Sequence, residues 1–239
     1  MKSQPVINVL RRNFRLFHPV VPFDPGREKL IALDFTERNH ELTDEIFNDT
    51  DLFTSYISDK LKQFNAKYGI GGYDELRGVY NRSKIFDAEK PGDEPRRLHL
   101  GVDIWGKAGT PVYAFMGGMI HSFAFNNHYG DYGATMILLH QLDGLSFYTL
   151  YGHITLKDIE RLVAGQYVNH GQIIAHFGEK EENGHWPPHL HFQIIQDLEL
   201  NEGDYPGVCK YSERAKYLAN CPDPDSVLQL NKYLATKPV

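Results

Sequence analysis

The chain has 239 residues, 41% hydrophobic and 13% aromatic, enough for a packed core and against a disordered chain. Its net charge of -6 supplies no basic stripe, so nucleic acid and anionic membrane surfaces are poor partners. The two cysteines, Cys209 and Cys221, form neither a disulfide framework nor a short zinc spacing and read as reduced thiols.

The N-terminus, MKSQPVINVLRRNFRLF, has no long apolar stretch before its arginines. It reads as neither a secretory signal nor a membrane span, and the expected location is the cytoplasm unless a leader has been removed. Residues 1–70 read as an α/β appendage: a short strand at 29–35 (KLIALDF), then a helix. In that helix Leu52, Phe53, Tyr56, Ile57, Leu61 and Phe64 recur at steps that leave one apolar face. Thr50 or Asp51 is expected to cap its start and Gly69 to mark its end.

From Gly71 to Asp197 the pattern changes. The runs TPVYAF, MIHSFAF, TMILLH, LSFYTLYGHI, QIIAHFG and HLHFQII alternate with Gly and Pro turns. This predicts a mainly β domain over 71–197, a small antiparallel sheet or sandwich, with the helical appendage making the whole α+β. One short helix is expected at 157–164 (KDIERLVA), and GEKEEN (178–183) reads as a solvated turn. Two similar runs, AGTPVYAFMGGMIHSF and AGQYVNHGQIIAHFG, resemble biotinyl and lipoyl carrier turns but lack the exposed lysine a carrier needs. Residues 198–239 read as a C-terminal extension whose last helix starts at Asp225 or Ser226.

The chemistry concentrates in HLGVD (99–103), YGHI (151–154) and HLHF (189–192). On extended backbone, residues two and four apart share a face. His99 with Asp103, and His189 with His191, can therefore face one groove. Two imidazoles and a carboxylate are a usual catalytic zinc set with a fourth position open. An HxH alone is weak, since about one is expected by chance among twelve histidines. The joint occurrence carries the weight.

HLGVDIWGKAGTPVYA, FYTLYGHI, GQYVNHGQIIAHFG and PPHLHFQI together resemble the motif series of lysostaphin-type (LytM-type) zinc metallopeptidases, over roughly residues 96–197. The resemblance implies a β-sheet groove with one zinc ion at its floor. It implies His99, Asp103 and His191 as ligands, and His153 and His189 as non-ligand catalytic groups. Histidine suits proton transfer because its ordinary pKa lies near neutrality. The expected division is His189 as base and His153 on the tetrahedral intermediate. The substrate implied is a peptide or muropeptide, with peptidoglycan cross-links as one form.

Other residues are candidates for substrate contact. Tyr80, in the run Tyr80-Asn81-Arg82, is the candidate oxyanion donor, with a half-buried structural tyrosine as the equal alternative. His185 and Trp186 sit in the NGHWPP loop, where an exposed indole would wall the groove; Trp105 reads as core. For the remaining histidines a surface or satisfied core role outweighs ligation. Members of the resembled family usually carry a signal peptide, coiled coil or wall-binding repeat, and none is visible here. Two alternatives stay open: a non-catalytic metal-binding regulatory module on the same fold, and a cytosolic small-molecule amide or ester hydrolase. Neither metal identity nor oligomeric state is set by these residues.

Overall fold

The computed structural model describes residues 5–234. Six short or medium helices surround the strands: α1 (Pro5–Arg12), α2 (Asp44–Asn48), α3 (Thr50–Gln63), α4 (Leu156–Ile159), α5 (Arg214–Asn220) and α6 (Asp225–Leu228). The strands are β1 (Leu30–Leu33), β2 (Tyr68–Gly71), β3 (Glu75–Leu76), β4 (Leu98–His99), β5 (Val102–Trp105), β6 (Pro111–Tyr113), β7 (Gly118–Asn126), β8 (Gly133–Leu142), β9 (Leu145–Ile154), β10 (Tyr167–Val168), β11 (Ile173–His176), β12 (His189–Ile195) and β13 (Val208–Cys209). The fold is mainly β, as the turn-punctuated runs predict. Among the described residues no helix is long and apolar enough to cross a membrane.

Eight strands form the main sheet, in the order β1-β2-β5-β12-β9-β8-β7-β10. All its pairings are antiparallel except β1 with β2. The two near-repeat runs meet each other: β6 pairs β11, and β7 pairs β10. A three-stranded sheet, β13-β4-β3, completes the set.

All seven residues of β12 are buried, so the centre of the sheet is covered on both faces. Leu190, Phe192 and Ile194 enter the larger core with Ile104, Phe115 and Tyr151. The alternate positions, His189, His191 and Gln193, are buried polar groups on the opposite face. That face is roofed partly by the N-terminal zone. Phe35, Phe53 and Ile57 pack in one cluster with Trp105, Tyr80, Phe86 and Trp186.

The N-terminal zone therefore contributes β1 and β2 to the main sheet and a wall to the polar face. Gly69 lies inside β2 and does not terminate α3, which stops at Gln63 before Asn65 turns left-handed at φ 49°. Asp49, one residue ahead of the expected cap, accepts from the backbone N–H groups of Asp51 and Leu52. Phe53 and Ile57 are buried, while Leu52 and Phe64 are exposed, so the apolar face is narrower than the spacing predicts. The helix expected at 157–164 is the single turn α4, capped by Thr155. At the C-terminus the expected final helix is also one turn. Asp225 Oδ1 accepts from Leu230 and Asn231, and Gln229 at φ 53° ends the turn.

Candidate metal centre and its cavity

Antiparallel pairing places Asp103 directly opposite His191, on one face of neighbouring strands. His99 arrives separately. HLGVD is not one continuous strand: His99 ends β4 of the small sheet, and β5 begins at Val102. The break falls at Leu100 and Gly101. A Cβ on Gly101 would lie 2.5 Å from His191 Cε1, so only glycine lets the chain pass that ring.

Three donor atoms converge there, all within 4.8 Å of one another. His99 Nε2 is 3.0 Å from His191 Nδ1 and 3.2 Å from Asp103 Oδ1, and His191 Nδ1 is 3.0 Å from the same oxygen. The outward nitrogens define the tautomers. His99 Nδ1 lies 2.8 Å from the carbonyl oxygen of Gly72, which can only accept. His191 Nε2 lies 2.9 Å from Gln193 Oε1, and the Gln193 amide nitrogen donates to the Pro206 carbonyl at 3.1 Å. Both imidazole protons are thus committed outward. Two ring lone pairs and a carboxylate oxygen face one another with no proton between them.

Three buried acceptors in contact repel unless a cation sits among them. Burial, reinforced by the charge of Arg77, lowers His99 to about 4, so the neutral ring is the stable form. Burial opposes the Asp103 charge as well, while the Arg77 guanidinium bonded to its Oδ2 favours the ionised carboxyl, which is held well below its usual range. A tetrahedral ion with bonds near 2.0–2.1 Å needs donors about 3.3 Å apart, and this triangle fits that with slight expansion. The residues present suit one divalent ion.

His153 and His189 stand beside this triangle. Their ring centroids are 4.0 Å apart, and both side chains are buried. His153 Nδ1 donates to the Asn183 carbonyl at 2.8 Å, and His189 Nδ1 to the Pro187 carbonyl at 2.7 Å. Each is left with Nε2 as its basic nitrogen. Burial drives both pKa values down, His153 well below the usual range with help from His189, and His189 to about 3. The pair rests neutral. Trp105 stacks flat on His189, centroids 3.8 Å apart at 12°, and fixes its ring plane. His153 sits at φ 62°, a left-handed conformation rare for a non-glycine residue, at an irregularity in the β8–β9 pairing.

A cavity of about 160 Å³ opens onto Asp103, His153, His189 and His191. Tyr80 lines it, and its hydroxyl accepts from Arg77 Nη1 at 3.3 Å, which leaves the O–H proton to donate. Burial raises the Tyr80 pKa, so the proton stays on. Trp186 also lines the cavity, as a buried wall in place of the expected exposed indole. His185 is not among the lining residues. Its ring turns toward Tyr129, centroids 5.5 Å apart. Asn81 is occupied with Arg97 at 2.8 Å.

Several groups at the site gave no signal in the sequence. Arg77, in the short run ELRG, is buried, and its Nη1 donates to Asp103 Oδ2 at 2.5 Å. Its Nε donates to Glu75 at 2.7 Å and its Nη2 to the Gly72 carbonyl at 3.2 Å. Burial works against its charge; the carboxylates of Asp103 and Glu75, both bonded to it, outweigh it. GEKEEN is not a wholly solvated turn. Asn183 is fully buried, its side chain bridges Gly178 and Trp186, and its carbonyl holds His153. A bare Asn after four charged residues carries no mark of that role.

The convergent acceptors and the paired histidines on one face of the sheet make up a candidate metal-dependent site. Residues 97–202, somewhat under half of the chain, match Peptidase family M23. The chain is 29% identical over 153 residues to the L-Ala--D-Glu endopeptidase of Bacillus subtilis (strain 168), covering 59% of this chain and 44% of that protein. Lysostaphin of Staphylococcus simulans is 36% identical over 96 residues, 40% of this chain and 18% of lysostaphin. The chain thus spans less than half the length of these relatives. Among solved structures, the catalytic domain of the antimicrobial peptidase lysostaphin from Staphylococcus simulans aligns at 22% identity and a TM-score of 0.38, over 68% of this chain and 97% of that one.

Proposed function

We propose that this chain is a zinc-dependent hydrolase of peptide-type amide bonds, with His99, Asp103 and His191 as the metal ligands. The observation that carries the reading is the contact of three buried acceptor atoms whose outward nitrogens have already spent their protons. When bound, a zinc ion would act as a Lewis acid on the scissile carbonyl and on water.

The chain's own groups supply the rest. His189 and His153 are neutral and basic at Nε2, so either can take a proton from water. Rings 4.0 Å apart disfavour two charges, so the pair holds one proton at a time. That proton is then available to the leaving amine. We assign His189 as the acceptor, because Trp105 and the Pro187 carbonyl fix its ring, and His153 as the group facing the tetrahedral intermediate. The Tyr80 O–H is the further donor for the developing oxyanion.

The name of one relative, an L-Ala--D-Glu endopeptidase, supports a peptide substrate, and we take wall-type peptides as the class to test. The complete set of acceptors and two basic histidines argues against a non-catalytic module. The test is hydrolysis of wall-type peptides by the zinc-loaded chain, by the chelator-treated chain, and by the chelated chain with zinc restored. The reading requires activity that disappears and returns with the metal. A metal-loaded protein inert toward the whole panel contradicts it.

A further inference from the structure

The paired histidines both take their tautomers from one short loop. The Asn183 carbonyl accepts from His153 Nδ1 at 2.8 Å, and the Pro187 carbonyl accepts from His189 Nδ1 at 2.7 Å. His185 stands midway, two residues from each carbonyl. Its φ is 65°, a left-handed backbone unfavourable for a residue with a Cβ, and Gly184 before it is left-handed as well, at φ 82°. The placing of both carbonyls therefore depends on what holds this turn.

On its inner side the loop holds itself. The Asn183 side chain bonds Gly178 and Trp186, and His185 N donates to the Lys180 carbonyl at 3.0 Å. On its outer side two distant residues meet the His185 carbonyl. Thr50 Oγ1, at the start of α3, donates to it at 2.8 Å, and Arg82 Nη2 donates to it at 3.0 Å. Arg82 Nη2 also donates to Thr50 Oγ1 at 2.8 Å, so the two anchors orient each other. The Arg82 guanidinium carbon lies 4.6 Å from the Trp186 ring centroid, which restrains the residue between the anchored carbonyl and Pro187.

Charge pairing does not account for Arg82. It is buried, and its hydrogen-bond partners are neutral oxygens, of Thr50, Tyr129 and His185. Among the described residues its Nη1 has no partner. A buried charge without a counterion is costly, and an apolar side chain would fill the space against Phe53 and Trp186 at less cost. A guanidinium supplies what an apolar residue lacks, a rigid fork of donors on the loop carbonyl.

We infer that Arg82 is a positioning residue for His153 and His189. With Thr50 it fixes the His185 carbonyl, and through that turn the two carbonyls that keep both imidazole protons on Nδ1 and leave Nε2 free to react. The catalytic consequence rests on the function proposed above; the tautomers do not. The experiment uses the zinc-loaded full chain as wild type, Arg82→Met, Thr50→Val and Thr50→Ser. Long-range proton–nitrogen NMR correlation reads which ring nitrogen carries the proton. Kinetics use the peptide of the wall-type panel that the wild type cleaves fastest. The wild type should show Nδ1–H tautomers at His153 and His189. Arg82→Met and Thr50→Val should show a share of Nε2–H, with kcat lower by about 100-fold in Arg82→Met and with KM and bound zinc unchanged. Thr50→Ser, which restores the hydroxyl, should restore both tautomers and rate. Wild-type tautomers in both Arg82→Met and Thr50→Val overturn the inference, as do Nε2–H tautomers in the wild type. Shifted tautomers at an unchanged kcat overturn its catalytic consequence. If the zinc-loaded wild type cleaves no peptide of the panel, the proposed hydrolase function fails, and the tautomer spectra still decide the role of Arg82.

Discussion

Arg77 and Asp103 share one carboxylate with the metal-site triangle. Arg77 Nη1 lies 2.5 Å from Oδ2, while Oδ1 of the same group lies 3.0 Å from His191 Nδ1. The guanidinium therefore fixes which oxygen faces the histidines and restrains Asp103 from turning. It also offsets buried negative charge, since Glu75 lies 2.7 Å from its Nε.

Arg77→Met is expected to leave two buried carboxylates unpaired. Removing one partner of a buried ion pair costs about 3–5 kcal/mol. Urea unfolding of the metal-free variant should show that loss, and a smaller one with zinc present, because the ion stabilises the folded state by mass action. Arg77→Lys should recover part of it. Wild-type stability in Arg77→Met would refute the assigned role.

The Gln193 amide sets the His191 tautomer through a 2.9 Å contact. Gln193→Leu removes that acceptor without touching a ligand atom. Groups of this kind tune metal affinity by about 10–100-fold. A chelator competition titration should show a loss of that size, with one ion per chain still bound at saturation. Unchanged affinity would mean that His191 needs no such partner.

Replacing His189 or His153 by Ala should leave metal content intact while lowering kcat. General acid–base groups contribute about 10²–10⁴-fold. Tyr80→Phe should lower kcat by about 10²–10³-fold, the effect of losing one oxyanion donor, with little change in KM. Zinc content measured beside the kinetics separates these outcomes from simple loss of the ion. Full turnover in His189→Ala with loss in His153→Ala would reverse the assignment of base.

His140 gives a pH prediction remote from the metal site. It is buried, with Nδ1 3.0 Å from the Gly117 carbonyl and Nε2 2.7 Å from Thr149 Oγ1. Burial lowers its pKa to about 4. Its folded pKa lies below the unfolded value near 6.5, so the unfolded chain binds the extra proton first. The associated stability is whole above about pH 6.5 and is lost as the pH falls toward 4, roughly 3 kcal/mol across the window. His140→Gln should flatten that part of the stability–pH curve. A wild-type slope in the variant would place the titration elsewhere.

The legible part of this site was the part written in short-range spacing. HLHF puts two imidazoles on one face because a strand repeats every two residues, and β12 is such a strand. His99 and Asp103 meet for a different reason than the spacing implies: two strands of two sheets flank a glycine that His191 requires. Arg77, Asn183 and Gln193 were not legible, because their roles depend on contacts across long sequence separations. An isolated Arg or Asn in a polar run is usually solvated. Trp186 was legible as a wall but not as a buried one, since its cover comes from Phe53 and Arg82, over a hundred positions away. The β1–β2 pair was obscured because Gly69 also suits a helix end.

X-ray absorption at the zinc edge, on chain loaded with one equivalent of zinc, bears most directly on the metal assignment. The account predicts two imidazole nitrogens and oxygen donors at about 2.0–2.1 Å, with the imidazole signal reduced in His99→Ala. A sulfur shell near 2.3 Å, which would bring in Cys209 or Cys221, or a spectrum unchanged in His99→Ala, would contradict it.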